Sequence, residues 1–358
     1  VIDLSLGSSD LAPPPEAIAV LHEAADDPST YGYCLFDSTR DFRQACAQWY
    51  ECKFGIAVDP ETEVLALIGS QEGTGHLPLA LLDPGDVALL CDPGYPSHAG
   101  GVYLADGELY AMPLLAENQF LPDFAQIPAD IGDRARLMVL SYPHNPTTAV
   151  ASLEFWQKAI DFCCTNDIVL AHDFPYVDWV FEGDPAPSVL QVDRARTQSI
   201  EFFTMSKSFH MGGFRVGYAI GNAEIVRSLR QVKAVVDFNQ YRGILRAAGH
   251  LLTHPTDFID RSLDVYRERR DRCVRALHDI GWNVPTPTAS MYLWAKLPSL
   301  YADSAKQFCL DLVKTTGVAL SPGSGFGSSG EGYVRFALVE NSDVLERAVA
   351  RIGTFLRQ

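Results

Sequence analysis

Basic side chains are scarce in this 358-residue chain: 28 lysines and arginines stand against 45 aspartates and glutamates, a formal net charge of −17. So acidic an average surface repels phosphate backbones and anionic lipid, which argues against nucleic-acid and membrane partners. No apolar run approaches the roughly 18 residues that a membrane span needs, and the first residues, beginning at Val1, lack the basic and apolar pattern of a signal sequence. Eight cysteines lie scattered without a CxxC pair, and nine histidines, among them His76, His98, His144, His172 and His210, show no metal spacing. The expectation is a reducing, cytoplasmic location and no metal site. A GxGxxG run is missing too, and the glycine-rich stretch at 323–332 does not join a strand to a helix, which argues against a nicotinamide cofactor. No internal repeat or low-complexity tract stands out.

What is present is apolar material, 47% of the residues, enough for one large core or two unequal ones. The runs DVALLC, RLMVLSY, DIVLAHD, SIEFFTM and VGYAIG read as buried strands. Helical patterns fall between them, as in SLEFWQKAIDFCCTN, where Leu153, Trp156, Ile160, Phe162 and Cys163 mostly keep helical spacing. This alternation predicts an α/β fold, a large domain whose mainly parallel sheet is sandwiched by helices, with a smaller α+β domain beside it. The expected division is a large domain over 31–245 and a small domain built from 1–30 and 246–358. In the latter, two long charged segments read as helices and MYLWAKL as a hairpin strand, and the proline-initiated helix in PPPEAIAVLHEAA is expected to pack there as well.

In such sheets the chemistry gathers at the carboxyl ends of the strands, and Asn145, Asp173, Tyr176 and Lys207 fall just past predicted strands. Lys207 lies in SKSFHMGGFRVG, with hydroxyls beside it and Arg215 eight residues on. A lysine so placed can form an imine while its neighbours hold an anion, which is what a pyridoxal phosphate site needs. Asp173 can keep a pyridine nitrogen protonated, or cap a turn. Asn145, in SYPHNPTTA, can bond a ring hydroxyl or a carboxylate, and Asn-Pro pairs also mark ordinary turns. GSQEGTG (69–75), opening the helix HLPLALLD, offers Ser70, Gln71 and Glu72 to a phosphate, or is a plain capped start. Tyr95 has a face that can stack on a flat cofactor or pack in a core. Arg335, alternating with apolar neighbours in YVRFAL, needs a carboxylate, whether a structural partner or a substrate.

Taken in order, these stretches resemble the pyridoxal phosphate-dependent aminotransferases of class I and II, the aspartate aminotransferase superfamily of fold type I, over nearly the full chain. The resemblance is carried by LLDPGDVALLCDPGYPSH, YPHNPT, DFPY, SKSFHMGGFRVG and FGSSGEGYVRFAL. It implies pyridoxal 5'-phosphate as cofactor, with Lys207 as the Schiff-base lysine and proton shuttle, Asp173 on the pyridine nitrogen, Tyr176 and Asn145 on the ring hydroxyl, and Tyr95 stacked on the ring. The phosphate would be held by Ser70, Gln71, Thr204, Ser206 and Arg215. Arg335 would grip the substrate's α-carboxylate, with Gly7 and Asn239 as further substrate contacts. The family also implies a homodimer with shared active sites, in which Tyr33 reaches the partner's site, with Tyr31 as second choice. The expected activity is amino transfer between an L-amino acid and a 2-oxo acid. A carbon–sulfur β-lyase on the same fold, and more remotely a non-catalytic sensor that binds the cofactor, are the alternatives. The chain departs from the family pattern at Ser9, where a proline is usual, and at Ser38, where a glycine is usual ahead of Phe42 and Arg43. Both departures leave the choice of amino acid open.

Overall fold

The computed structural model describes residues 1–301 and 304–357. Its strands, in chain order, are β1 (Ile2–Asp3), β2 (Val64–Leu67), β3 (Val87–Asp92), β4 (Glu108–Pro113), β5 (Ala135–Leu140), β6 (Val169–Asp173), β7 (Ser199–Thr204), β8 (Gly217–Gly221), β9 (Tyr292–Lys296), β10 (Val318–Ala319), β11 (Ser321–Pro322) and β12 (Tyr333–Ala337). The helices are α1 (Pro15–Asp26), α2 (Arg40–Phe54), α3 (Ser70–Leu81), α4 (Pro96–Leu104), α5 (Ala129–Arg134), α6 (Leu153–Asn166), α7 (Met205–Ser208), α8 (Ala223–Val236), α9 (Arg242–Thr253), α10 (Phe258–Asp279), α11 (Ala305–Thr316) and α12 (Ser342–Leu356). None of the described helices is long and apolar enough to cross a membrane.

Seven strands form one sheet in the order β2-β8-β7-β6-β5-β3-β4. Every neighbouring pair is parallel except the two that β8 makes, so β8 alone runs against the rest. Side chains alternate across the pleat: Val87, Leu89, Met138, Leu140, Phe203 and Tyr218 enter one core with α2, α6 and α9. Leu65, Leu67, Leu90, Val139, Phe202 and Ala219 enter a second, beneath α3, α4 and α8. Helices therefore cover both faces, as the near-continuous apolar strands require. Each large aliphatic or aromatic side chain buried there contributes about 1.5–3 kcal/mol.

The strand ends that carry polar groups are tied together from below. Glu201 on β7 is fully buried, and its carboxylate accepts from Tyr50 Oη at 2.8 Å, Ser188 Oγ at 2.7 Å and the Val189 amide at 2.9 Å. It also faces His172 Nδ1 at 2.8 Å, while His172 Nε2 lies 2.9 Å from the carbonyl oxygen of Tyr142. This satisfied network fixes β5, β6 and β7 relative to one another directly behind Asp173.

A separate core collects around the antiparallel sheet β11-β12-β9 and the parallel pair β1-β10, with α10, α11 and α12 packed on it. MYLWAKL is not a hairpin arm: β9 pairs with β12, more than thirty residues later, because the intervening chain forms α11 and the short strands. The N-terminal thirty residues also divide, where the sequence predicts one destination. Ile2 and Asp3 pair with Val318 and Ala319, but α1 lies on α9 and contributes Ala17 to the larger core. Its small buried face, Ala17 and Ala24, allows the close approach, and Tyr241 Oη locks it by donating to Ala24 O at 2.8 Å.

Candidate active site

The carboxyl ends of β5, β6 and β7 and the start of α3 open on one cavity of about 380 Å³. β6 ends on Asp173, which is only 5% exposed. His98 Nε2 on α4 donates to its Oδ2 over 3.0 Å, and Oδ1, equally buried, has no hydrogen-bond partner among the described residues. β7 ends on Thr204, which caps the one-turn α7: its hydroxyl oxygen accepts from the Ser206 amide at 3.1 Å and lies 2.9 Å from Ser206 Oγ. On that turn sits Lys207, whose Nζ donates to the carbonyl oxygen of Gly7 at 2.6 Å. Asp173, Thr204, Ser206, Lys207 and Gly7 all line the cavity, and His98 stands behind Asp173.

One rim of the cavity is an anion cradle. Helix α3 begins at Ser70, earlier than the sequence suggests, so Gly73 and Gly75 lie inside it. Gly73 has to be bare because a Cβ would overlap the Phe202 ring on the sheet below. Ser70 and Gln71 present the helix N-terminus to the cavity, where the free amides and the dipole favour negative charge. Gly69, at φ 80°, has no room for a side chain because the Arg215 guanidinium lies against it. Arg215 itself adopts φ 53°, and its guanidinium donates to Gly212 O at 3.0 Å. Tyr95, the N-cap of α4, closes this side, its hydroxyl 3.4 Å from Gln71 Oε1.

The opposite wall belongs to the small sheet. Arg335 is 6% exposed and lies between the rings of Tyr292 and Phe326, 4.3 and 4.6 Å from their centroids. It donates to Asn145 Oδ1 at 2.7 Å and to Ser5 O at 2.6 Å, leaving Nε without a partner among the described residues. Tyr176 bonds Tyr292, hydroxyl to hydroxyl, over 2.8 Å. Burial raises the Tyr176 phenol well above an ordinary tyrosine, and Tyr292 adds to that. Burial pushes Tyr292 the same way, but the Lys207 ammonium, the Arg335 guanidinium and the bond with Tyr176 outweigh it, so its phenol ends below the ordinary value.

Three sequence candidates fall outside this chain's cavity. The Glu72 carboxylate turns away from the cradle to Lys233 Nζ, at 3.0 and 2.9 Å, because that buried ammonium on α8 needs an anion. Asn239 spends its amide on Cys34 O at 2.9 Å, tying the turn after α8 to the segment before α2. Tyr33 is 86% exposed. Conversely, the structure adds His98, His210 and Tyr292, to which the sequence reading assigns no role at the site. His98 has a signal, three residues beyond Tyr95 on a strand-end helix, and His210 has its place inside SKSFHMGGFRVG, whereas Tyr292 has none. His210 lines the cavity with Nε2 2.9 Å from Ser262 Oγ, and burial drives its imidazole down to about 4.

Arg215, Lys207 and Arg335 give this cavity three cations against the single carboxylate of Asp173, in a chain of net charge −17. The donor set fits a flat anionic cofactor with a basic ring nitrogen: a cradle for a dianion, an orphaned carboxylate oxygen for a protonated nitrogen, and a lysine lining the same cavity. Pyridoxal 5'-phosphate is such a molecule.

Comparison with known proteins gives the same answer. Residues 1–352 match the family model "Aminotransferase class I and II". The chain is 42% identical to the LL-diaminopimelate aminotransferase of Dehalococcoides mccartyi, over 100% of its own length and 92% of that protein. It is 40% identical to the enzyme of the same name from Halothermothrix orenii, over 98% and 90% of the two chains. A solved structure described as a probable N-succinyldiaminopimelate aminotransferase from Thermus thermophilus superimposes with a TM-score of 0.94 at 42% identity, covering 99% of this chain and 94% of that one. Enzymes of this family work through pyridoxal phosphate, and the β-lyase alternative draws no support from these relatives. A matching family model over nearly the whole chain, full-length relatives and a cavity equipped for the cofactor place this protein among the class I and II aminotransferases.

Proposed function

We propose that this aminotransferase acts on a diaminopimelate-type amino acid, with a 2-oxo acid as partner substrate, and that the residues facing the 380 Å³ cavity hold the cofactor and carry the reaction. The observation behind it is that Lys207 shares one cavity with a carboxylate that has a free oxygen, Asp173, and an arginine that has a free nitrogen, Arg335, among the described residues. Relatives named for LL-diaminopimelate at 42% and 40% identity support the substrate.

In this reading Ser70, Gln71, Thr204, Ser206 and Arg215 hold the phosphate, Tyr95 stacks on the ring, and Asn145 and Tyr176 serve the ring hydroxyl. When bound, pyridoxal phosphate supplies an electron sink for the charge left on the substrate's α-carbon. Asp173 would face the protonated ring nitrogen, and His98 holds that carboxylate in orientation through its 3.0 Å hydrogen bond. Arg335 binds the α-carboxylate through its bidentate fork, its plane set by the Tyr292 and Phe326 rings. Lys207, once it leaves Gly7 O as a neutral amine, would take the proton from the substrate's α-carbon and pass it to the aldehyde-derived carbon of the bound cofactor, so that the amino group stays with the cofactor.

Two further parts of the reading concern assembly. The exposed side chains of Tyr33, Leu35, Val235, Val236 and Phe238 flank the Asn239–Cys34 bond, an apolar surface that a homodimer would cover. Tyr33 is the better candidate to enter the partner's site, since the Tyr31 hydroxyl is committed to Ala25 O at 2.8 Å. The eight free cysteines fit a reducing cytoplasm, and the core around the small sheets, separate from those on the two faces of the large sheet, fits the division into a large cofactor-binding domain and a small one.

The test is the visible spectrum of the purified holoenzyme, mixed with single amino acids without any oxo acid. LL-diaminopimelate should convert the cofactor to its amine form more efficiently than alanine, aspartate, glutamate or an aromatic amino acid. Conversion by one of the others alone would overturn the substrate while leaving the aminotransferase intact. Light scattering decides the dimer, for which a monomer at working concentration would be fatal.

A further inference from the structure

Tyr292 opens β9, is 2% exposed, and touches three parts of the site at once. Its hydroxyl lies 2.8 Å from that of Tyr176 and is packed so closely on Gly7 that a Cβ there would overlap it. Its ring carries the Arg335 guanidinium at 4.3 Å. The two phenols share one hydrogen bond, and neither has another among the described residues. One of the two hydroxyl protons is therefore spent inside the pair and the other is free to leave it. The direction matters: only if Tyr292 donates does Tyr176 keep its own proton for a group in the cavity.

The surroundings favour that direction. The Arg335 guanidinium lies on the Tyr292 ring, 4.3 Å from its centroid, and draws charge from that phenol, while the Tyr292 hydroxyl is enclosed against Gly7 and has no acceptor but Tyr176 among the described residues. The more acidic hydroxyl is the better donor and the less acidic one the better acceptor. We propose that Tyr292 is a positioning residue: by donating to Tyr176 it commits Tyr176 as donor to the ring oxygen of the bound cofactor, and so stabilises that oxygen's anionic form. This rests on the assignment of Tyr176 to the ring hydroxyl made above.

Tyr292→Phe removes the inner donor and leaves the ring under Arg335. In the holoenzyme, the midpoint at which the visible band titrates with pH should rise by about half a unit to one unit, since an anion that loses hydrogen-bond support is protonated more readily. Tyr176→Phe should raise it further, and the double variant should match Tyr176→Phe, because Tyr292 acts only through Tyr176. An unchanged midpoint in Tyr292→Phe, or additive shifts in the double variant, would overturn the inference. If Tyr292→Phe does not yield folded protein, Gly7→Ala crowds the same hydroxyl off Tyr176 and should give the same rise, and no rise would count equally against it. An unaltered midpoint in Tyr176→Phe, with the band present, would instead remove Tyr176 from the ring hydroxyl. A wild-type protein without a band would sink the cofactor site as a whole.

Discussion

Lys207 Nζ donates over 2.6 Å to the carbonyl oxygen of Gly7, 200 positions earlier in the chain. The bond anchors the loop after β1 across the cavity, and it must break before the amine can do chemistry. Lys207→Ala should keep the fold, since the lysine lies on a capped turn at the surface of a cavity. Turnover should fall by at least about a thousandfold, as expected when the proton carrier is lost. Stopped-flow half-reactions measure it, and substantial transamination by the variant would remove Lys207 from its role.

Asp173 has one oxygen on His98 and one without a partner among the described residues. Asp173→Asn removes the charge that would face a protonated ring nitrogen, which should slow the half-reaction about a hundredfold or more, in line with roughly 3 kcal/mol for breaking a buried charge pair. His98→Gln acts one step removed, so roughly a tenfold loss is expected. A larger effect at His98 than at Asp173 would reverse the order of their roles.

Arg335 already has two of its donors placed on Asn145 and Ser5. For Arg335→Ala, KM for the amino acid should rise about tenfold to a hundredfold, the worth of a charged hydrogen bond, with kcat changed much less. Steady-state kinetics with unchanged saturation would put the substrate's carboxylate elsewhere.

Gly69 and Gly100 make a matched pair. At Gly69 a Cβ meets the Arg215 guanidinium and the φ of 80° disfavours a side chain, whereas at Gly100 nothing lies within 4 Å. Gly69→Ala should weaken cofactor binding about tenfold, a cost of roughly 1.4 kcal/mol, while Gly100→Ala should leave it unchanged. Equilibrium dialysis of the cofactor separates the two.

Acid should destabilise the fold through two buried histidines. Burial lowers His144 to about 3 and His210 to about 4, from 6.5, so the folded state holds them neutral while the unfolded chain protonates them below pH 6.5. Their contribution is complete above about pH 6.5 and fades as the pH falls toward 4. His210→Asn should flatten the loss of stability over that window by on the order of 2 kcal/mol, read from urea midpoints at pH 7 and pH 5.

The residues legible in the sequence are those whose position is set by local chain direction. Asp173, Thr204 and Lys207 announce themselves because an apolar strand stops and a polar group follows, and parallel strands stop on one rim. Glu72 misleads because a helix start offers both backbone and side chain to a cavity, and only the distant Lys233 decides where the carboxylate points. Asn239 is taken by Cys34 in the same way. Tyr292 is silent for a related reason: its partners Tyr176, Gly7 and Arg335 come from three other segments, and nothing in MYLWAKL records them. The antiparallel setting of β8 is equally hidden, since a buried strand looks the same in either direction.

That reversal at β8 governs how the enzyme can change. A further parallel strand would have demanded a crossover to the far rim and back, separating what lies before it from what lies after. Because the chain turns straight round instead, residues 205–216 never leave the cavity side, and Lys207 and Arg215 travel on one short excursion. A single inserted or deleted residue there would displace both cations at once, while the turns on the far rim remain free to lengthen. A change of length in this stretch of a dozen residues therefore reaches the site through both cations together.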